Sequence, residues 1–509
     1  MEEIMKKATR IVALLILLCL TIVTVSACNG EEEEGTESSA AETSKPAVLF
    51  EKLPEKDYGG ETVTFLVEGD YRTNYKSQEI MAQEGAPEVL NEQIEKRNEL
   101  VESKFNVVIA EERTTADQPM LTLVRNAVLS SLEDYDIVMP YIPDAATLAL
   151  EDSFYLINDL EYIDLNNRCW DNNATESLSI NHKNYFITGD ISLLTLACTH
   201  AIVFNKDIIS ANGMENPYDL VNNGQWTYDK LREMARKVTA DIDGTAGMSA
   251  TDRYGFLINN NFVTSMYVGS GQTLTGKDIN DIPYISIIDE SETAFPIFNK
   301  IFELVNDETA TGQIDNTSST YYTTGIADGS SIWEVATESV ANGLALFRAM
   351  AIIDIIDLGD YDCNFGILPV PKYSESQESH HSLVSTIYAS SAAIPISAPD
   401  SEMSSIILQA MCEASTDTTK DAYFEIILKL RRIQDDESEA MLDKIFDERV
   451  YDLGIIYNWG GANYADANSI GNFMNAVAFS GTQTFASTLE SITDVVKNAL
   501  ADTLEVFES

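Results

Sequence analysis

Apolar residues in the first third of the chain occur in two alternating patterns, short continuous runs and runs at helical spacing. The continuous runs at 62–67, 105–109 and 135–140 are β-rich and have the length of strands. Between them, residues 87–104 and 120–132 place apolar side chains every three or four positions, which predicts helices. This order of strand, helix, strand, helix and strand predicts an α/β layer with a mostly parallel sheet.

The rest of the chain repeats this alternation less regularly. Thr227 is predicted to cap the amino terminus of a helix over 228–238, which has Leu231 and Met234 on one face. Residues 252–316 are rich in Asn, Gly, Ser and Thr and have a looser pattern. Further strands are predicted at 185–188, 201–204, 343–347 and 365–369, and further helices at 403–412, 437–446 and 485–507.

The amino terminus has the three parts of a bacterial signal peptide in their usual order. Basic residues come first, residues 11–23 form an apolar run that is short for a permanent membrane span, and VSAC at 25–28 resembles a lipobox. We therefore expect residues 1–27 to be removed and Cys28 to carry a lipid anchor. The alternative is an ordinary signal peptide followed by a chance cysteine.

The segment after Cys28 is acidic and poor in apolar residues, with six glutamates between positions 31 and 42. Such a sequence buries too little apolar surface to offset the entropy lost on folding. We therefore expect residues 28–57 to form a disordered tether. The predicted location of the folded body is the extracellular face of the cell membrane, where the lipid holds it.

Composition excludes several classes of partner. The formal net charge of −50 argues against nucleic acid, because binding to phosphates needs clustered Lys and Arg. Only four histidines occur, which makes a histidine-based metal site improbable. The cysteines of the body, Cys169, Cys198, Cys363 and Cys412, have no metal-type spacing, and their disulfide status stays open, with free buried thiols favoured.

One acidic loop is similar to a calcium-binding loop. It contains Asp241 and Asp243, with Asp252 at the twelfth position. However, Thr245 weakens the fifth position, and Ala246 stands where the loop needs a glycine. We therefore expect a plain surface loop without a metal ion, and no cofactor elsewhere in the chain.

Six short motifs follow one another between residue 61 and about residue 436. They are YDIV at 135–138, IVFNKD at 202–207, QWTYDKL at 225–231, ANGLAL at 341–346, NFGILPVP at 364–371 and AIP at 393–395. In this order, and behind a lipobox, they resemble the extracellular solute-binding proteins, family 1, oligosaccharide type, of bacterial ABC importers. Residues 428–459 are similar to the lipoprotein branch of that family in clostridia-like bacteria.

The resemblance implies an α/β fold of the type II periplasmic-binding-protein class, with two α/β lobes joined by a multi-strand hinge. Lobe one would comprise 58–196 plus 350–415, and lobe two 197–349 plus 416–509. It implies a monomer without catalytic activity that captures a solute, expected to be a carbohydrate, and delivers it to the membrane permease of an ABC importer.

Two other functions stay open at this point. With 82 acidic residues, a secreted glycoside hydrolase that uses paired carboxylates is one alternative. The other is a lipoprotein sensor or adhesin that has the same fold but no permease partner.

Candidate ligand-binding residues are polar or aromatic side chains that follow predicted strands or lie near the expected hinge, because open α/β sheets bind ligands at the carboxyl ends of their strands. For each aromatic candidate, packing in the core is the alternative, and the glycines next to Trp459 favour an exposed loop. The candidates are Asp70, Tyr71, Tyr141, Asp144, Thr199, His200, Trp333, Arg348 and Trp459.

Overall fold

The computed structural model describes residues 49–429, 436–463 and 465–508. The predicted signal peptide, the lipid site Cys28 and the tether up to residue 48 lie outside these residues. The tether was expected to reach residue 57, but Phe50 and Leu53 are buried, and the Phe50 N–H donates to the Glu413 carboxylate at 2.9 Å. Residues 49–57 therefore belong to the folded body.

Strands of the described residues form two main sheets and two short ladders. In chain order they are β1 (Glu61–Val67), β2 (Val107–Arg113), β3 (Ile137–Met139), β4 (His200–Asn205), β5 (Tyr254–Ile258), β6 (Gly276–Lys277), β7 (Pro283–Tyr284), β8 (Thr311–Gln313), β9 (Ala345–Ala351), β10 (Phe365–Leu368), β11 (Ser382–Leu383) and β12 (Arg449–Val450). We call β2-β1-β3 the first sheet and β10-β4-β9-β5-β8 the second sheet.

Helices connect these strands and cover the sheets. In chain order they are α1 (Glu88–Phe105), α2 (Met120–Ser130), α3 (Ile142–Ala149), α4 (Asn172–Leu178), α5 (Leu193–Ala197), α6 (Lys206–Ala211), α7 (Pro217–Asn222), α8 (Tyr228–Val238), α9 (Phe262–Gly269), α10 (Ser286–Asp289), α11 (Ser291–Val305), α12 (Thr320–Gly325), α13 (Ile332–Ala341), α14 (Ile352–Leu358), α15 (Ser401–Ser415), α16 (Asp421–Lys429), α17 (Asp436–Asp447), α18 (Leu453–Ile456), α19 (Phe473–Phe479) and α20 (Phe485–Glu508). None of these helices combines the length and the hydropathy of a membrane span.

The first sheet confirms the predicted α/β layer. Strand β1 is parallel to both β2 and β3, with Phe65 opposite Glu111 on one side and Ile137 on the other. Isolated bridges extend this sheet beyond β3, because Val138 pairs with Ala393, and Ala392 pairs in turn with Ile187. Apolar side chains cover both faces of the sheet, as expected for parallel strands between helices.

The second sheet is mixed, and it contains elements that the sequence pattern did not indicate. Strand β5, all of whose residues are buried, and strand β8 both lie in the loosely patterned segment 252–316, as does the amphipathic helix α11. Strand β10 pairs antiparallel with β4. The predicted lobe boundaries group 350–415 with 58–196, whereas this pairing joins β10 to the sheet that 197–349 builds.

Two local predictions about helices are confirmed. The Thr227 hydroxyl oxygen accepts the Lys230 N–H at 3.3 Å, so Thr227 caps α8 as expected. In α20, the predicted stripe with Leu489, Ile492 and Val496 is buried. Both cases follow from spacing along one helix, which depends only on nearby residues.

The chain passes between the two sheets through segments that lie side by side. Helix α5 leads into Thr199 and β4, and Thr199 pairs antiparallel with Val384 of the segment that returns toward the first sheet. Just before Val384, strand β11 pairs in parallel with β12. Several strands thus cross at one place, as the predicted multi-strand hinge requires.

Candidate functional site

A narrow crevice lies where the chain crosses between the two sheets. It encloses about 40 Å³. Its walls come from the start of β4, the start of α9 after the carboxyl end of β5, the crossing segment 383–387, and the region of α18 and α19. Its lining residues include His200, Asn261, Thr264, Ser385, Thr386, Asn458, Asn472 and Asn475.

Amide side chains dominate the polar part of this crevice. The Asn475 amide oxygen accepts the Thr264 hydroxyl at 2.8 Å, and the Asn475 NH₂ group donates to the Asn472 amide oxygen at 3.0 Å. Asn261 is exposed at the amino-terminal end of α9. Since none of the residues that line the crevice in the described part of the chain is Asp, Glu, Lys or Arg, the crevice is polar but carries no fixed charge.

His200 contributes a neutral ring to the crevice. Its imidazole stacks on the Phe262 ring with centroids 4.6 Å apart. Burial lowers the pKa of His200 to about 4, so the ring is uncharged near pH 7. Within the described residues, its Nδ1 atom has no hydrogen-bond partner, and neither has the buried hydroxyl of Thr386. Both atoms line a crevice where a ligand could satisfy them.

A cluster of three tyrosines continues from the crevice along the crossing segment. The rings of Tyr75 and Tyr388 stack with centroids 4.2 Å apart, and Tyr141 meets Tyr388 edge to face at 5.5 Å. The Tyr141 hydroxyl donates to the Tyr75 carbonyl oxygen at 2.9 Å. Tyr388 directly follows Ile387 of the crevice wall, although none of the three tyrosines itself lines the crevice.

Of the predicted ligand residues, the structure brings His200 to the crevice, Thr199 beside it and Tyr141 into the tyrosine cluster. Thr199 is fully buried, and its hydroxyl donates to the Thr195 carbonyl oxygen at 3.0 Å. Thr199 therefore shapes the crossing rather than lining the crevice. Asp144 is half-buried in the first turn of α3, away from the lining residues.

Residues after the first strand lie in a short 3-10 helix, Asp70–Tyr75. The Tyr71 hydroxyl donates to the Glu68 carboxylate at 3.1 Å. Tyr71 does not line the crevice, and the side chain of Asp70 lies outside what the structure describes. The prediction for Asp70 therefore stays a prediction.

Arg348 lies inside the body on β9 and is 3% exposed. Its guanidinium Nη1 donates to the Thr337 hydroxyl at 2.7 Å. Burial lowers the pKa of Arg348, and the nearby Asp354 carboxylate partly offsets that effect. These contacts direct the side chain toward α13 and α14, and it does not line the crevice.

The two predicted tryptophans lie in opposite surroundings. Trp333 is 48% exposed on α13, away from the crevice. Trp459 is 2% exposed, and its indole N–H donates to the Thr503 hydroxyl at 2.9 Å. The adjacent Gly460 does not mark an exposed loop: it has φ +86°, and a Cβ there would meet Val496 at 2.8 Å, so it permits close packing against α20.

Most lining residues of the crevice were not among the sequence candidates. Asn261 and Thr264 lie just after β5, and the apolar run at 254–258 before three asparagines was the signal that could have located them. Asn472 and Asn475 come from α19, for which the sequence offers no comparable signal. Only the packing of α19 against α9 brings them to the crevice.

In the acidic loop that is similar to a calcium site, the carboxylates accept hydrogen bonds from other groups of the same loop. Carboxylate oxygens of Asp241, Asp243 and Asp252 lie within 4.8 Å of one another. Asp252 accepts the Ile242 N–H at 2.7 Å. Hydrogen bonds, chiefly from the Thr245 and Thr251 hydroxyls, lower the pKa of Asp243 to about 2. Backbone N–H groups and hydroxyls of the loop therefore stabilise the negative charge of these carboxylates.

No protein-family model matches the sequence, and no curated protein matches it either. The folded chain is, however, similar to several solved structures. The GacH receptor of Streptomyces glaucescens, described unliganded and with acarbose, shares 15% identity, with 87% of this chain and 99% of that chain covered and a TM-score of 0.53.

Two further structures are similar to the same extent. An ABC substrate-binding protein from Listeria monocytogenes in complex with cycloalternan shares 11% identity, with 87% and 99% of the two chains covered and a TM-score of 0.52. A cyclo/maltodextrin-binding protein complexed with maltotetraose shares 11% identity, with 88% and 97% covered and a TM-score of 0.53. At these identities the likeness extends to the fold, and the described chain has the type II periplasmic-binding-protein fold.

Proposed function

We propose that this protein captures an uncharged carbohydrate outside the cell and delivers it to an ABC importer. The observation that carries the proposal is the crevice at the crossing of the two sheets, which is rich in amides and lacks fixed charge. The similar structures with acarbose, cycloalternan and maltotetraose support the same ligand class.

The chemistry of the crevice suits hydroxyl groups. A sugar hydroxyl both donates and accepts, and the side chains of Asn261, Asn458 and Asn472 offer a donor NH₂ and an acceptor oxygen each. The neutral His200 adds an unpartnered nitrogen.

The volume of the crevice implies that its walls separate before a ligand enters. About 40 Å³ is far below the roughly 300 Å³ at which small-molecule sites begin. A sugar therefore needs a more open state, which closes around it by motion about the crossing segments. The two predicted lobes, 58–196 plus 350–415 and 197–349 plus 416–509, would move as units, with β10 assigned to the second sheet.

The anchoring part of the proposal rests on the sequence around Cys28. A lipid on Cys28 and an acidic tether would keep the body at the extracellular face of the membrane that contains the permease. Tethering raises the effective concentration of the binding protein near its partner without any new contact. A protein that only stores or senses sugar has no need of this proximity to a permease.

The rival hydrolase requires two carboxylates about 5 to 10 Å apart on either side of a glycosidic bond. The residues that line the crevice, as far as the structure describes them, include no carboxylate. The similar solved structures are likewise binding proteins. We therefore favour binding without catalysis.

Isothermal titration calorimetry tests the ligand class. Purified body from residue 49 is titrated with maltotriose, maltotetraose and other neutral oligosaccharides, and with a uronic-acid oligosaccharide and a tripeptide as charged comparisons. We expect saturable binding of at least one neutral sugar, weakened by Asn261→Ala and unchanged by Asn299→Ala, a half-buried amide outside the crevice. Binding of only the charged ligands, or hydrolysis of chromogenic glycosides, would contradict the proposal.

Delivery to an importer is tested separately in proteoliposomes. The lipidated protein is combined with the permease of an ABC importer from the same organism, and uptake of the radiolabelled sugar is followed with the Cys28→Ser protein as control. We expect ATP-dependent uptake that falls when the anchor is removed. Sugar binding without any stimulation of uptake would favour the sensor or adhesin instead.

A further inference from the structure

A second cavity, of about 310 Å³, lies beside α5, and we call it the apolar chamber. It shares no lining residue with the crevice. Its volume falls within the range of small-molecule sites, which begins near 300 Å³. The chamber is therefore large enough for a ligand without any separation of its walls.

Four helices supply the inner walls of the apolar chamber. Their side chains include Leu90 of α1, Leu194 and Ala197 of α5, Ile353 of α14 and Tyr423 of α16. Of these, Leu90, Leu194, Ala197 and Tyr423 are buried in one apolar cluster. The inner surface consequently favours an apolar body.

One polar atom of the inner wall has no partner. The hydroxyl of Tyr423 is buried and makes no hydrogen bond to any described residue. A buried hydroxyl without a partner destabilises the folded state, since it has lost its hydrogen bonds to water. A ligand group that donates to or accepts from this hydroxyl would recover that loss.

Charges in the chamber do not favour a charged ligand. The buried carboxylate of Glu79 already accepts the Leu194 N–H at 2.9 Å and the Ser390 hydroxyl at 2.6 Å. Lys76 and Asp357, of opposite sign, are half-buried and exposed, respectively, at the edge of the chamber. The deep wall thus offers hydrophobic contact and one hydrogen bond.

We propose that the apolar chamber is a second binding site, for a small uncharged amphiphile of the phenol or short-alcohol class. The ring or alkyl chain packs against the leucines and isoleucines, and the hydroxyl pairs with Tyr423. This proposal does not depend on the crevice binding a sugar, because the two cavities have separate walls.

The probe is p-cresol, with toluene as its matched apolar analogue and p-toluate as its anionic analogue. Binding is followed by saturation-transfer NMR, and the position of the ligand by nuclear Overhauser effects to ¹³C-labelled leucine and isoleucine methyl groups. We expect saturable binding of p-cresol that is about fivefold tighter than that of toluene, the usual effect of one neutral hydrogen bond. We expect p-toluate to bind weakest.

Two variants locate the site. Tyr423→Phe removes the unpartnered hydroxyl while the chamber keeps its shape, so p-cresol loses its advantage over toluene. Tyr457→Phe is the matched control, because that buried hydroxyl also lacks a partner among the described residues but does not line the chamber. Ala197→Leu places extra atoms in the chamber and is expected to weaken both ligands at least tenfold.

Three results would overturn the proposal: no saturable p-cresol binding, magnetisation transfer to methyl groups outside the chamber, or an unchanged preference for p-cresol in Tyr423→Phe. The transfer experiment uses the unmodified protein, so it remains decisive if Ala197→Leu does not fold. Sugar titrations of the same samples show independently whether the crevice is functional.

Discussion

Asn475 accepts two hydrogen bonds from Thr264, one from its backbone N–H at 3.0 Å and one from its hydroxyl at 2.8 Å. Asn475 lies in α19 and Thr264 in the first turn of α9, so this contact joins two walls of the crevice. The pair connects the stability of the folded body with the shape of the proposed ligand site.

We expect Asn475→Ala to lower the free energy of unfolding by about 2 kcal/mol, because it leaves the buried Thr264 hydroxyl without this acceptor. It also removes an amide from the crevice, so sugar affinity is expected to fall. Urea unfolding and calorimetry measure the two effects. Asn299→Ala is the control, since that amide contacts Glu303 at the surface. Equal stability of both variants would show that the contact contributes nothing.

We expect the free energy of unfolding to decrease as the pH is lowered, because His200 is buried in its uncharged form. The pKa of its ring is near 6.5 in the unfolded chain and about 4 in the folded protein, where burial opposes the charge. Between these values the unfolded chain binds a proton that the folded protein does not. The stabilising contribution is therefore complete above pH 6.5 and is lost as the pH falls toward 4, with a magnitude on the order of 3 kcal/mol.

Urea unfolding at a series of pH values checks this expectation. In His200→Asn the decline between pH 6.5 and 4 is expected to be shallower, although His380, whose pKa is also lowered to about 4 by burial, still contributes. His182→Asn is the control because that side chain is exposed. Parallel curves for the two variants and the unmodified protein would contradict the assignment.

The two tryptophans are expected to respond differently to truncation. Trp459→Ala removes a buried ring that stacks on Tyr457 and donates to Thr503 of α20, and we expect a loss of about 3 to 5 kcal/mol in the free energy of unfolding. Trp333→Ala changes a half-exposed side chain and is expected to alter stability by less than about 0.5 kcal/mol. A loss of sugar affinity in Trp459→Phe at unchanged stability would instead revive the ligand role of Trp459.

Lys277 connects the end of α4 with the β6–β7 ladder. Its ammonium group donates to the carbonyl oxygens of Glu176 and Ser179 and to the Asp281 carboxylate. Glu176 and Ser179 belong to predicted lobe one, whereas Lys277 belongs to predicted lobe two. The contacts between them are therefore expected only when the two lobes are together. We expect Lys277→Gln to increase the radius of gyration without ligand, measured by X-ray scattering, and to weaken sugar binding several-fold.

The matched control for Lys277 is Lys497→Gln, which breaks an exposed ion pair with Asp289. Exposed pairs contribute little, so this variant is expected to behave as the unmodified protein does. If both variants have the same scattering profile and affinity, Lys277 takes no part in closure.

The four cysteines of the described body are buried thiols that form no disulfide with one another. Burial raises the pKa of the Cys198 and Cys412 thiols, which further reduces the reactive thiolate. For the purified body from residue 49, which contains these four cysteines alone, we expect no reaction with Ellman's reagent in the native state and four equivalents after unfolding in guanidinium chloride without reductant. Two equivalents would reveal a disulfide.

The spacing of apolar and polar residues along the sequence predicts much of the fold. The strands and helices of the first sheet, the Thr227 cap and the buried stripe of α20 were predictable because each depends on residues near in sequence. Strand β5 and helix α11 were missed because the polar residues around them hide short apolar runs. The order of motifs indicated the fold class, which the similar structures confirm.

Tertiary structure alone decided which side chains share the crevice. Asn475 and Thr264 are far apart in sequence, and only the packing of α19 on α9 brings them together. The same holds for Trp459: its glycine neighbours predicted exposure, whereas the close approach of α20 requires the absence of a side chain at Gly460. The sequence by itself determined most of the elements, because periodicity is local, and its signal motif predicts the location of the protein. The site depended on long-range packing, which local patterns do not encode.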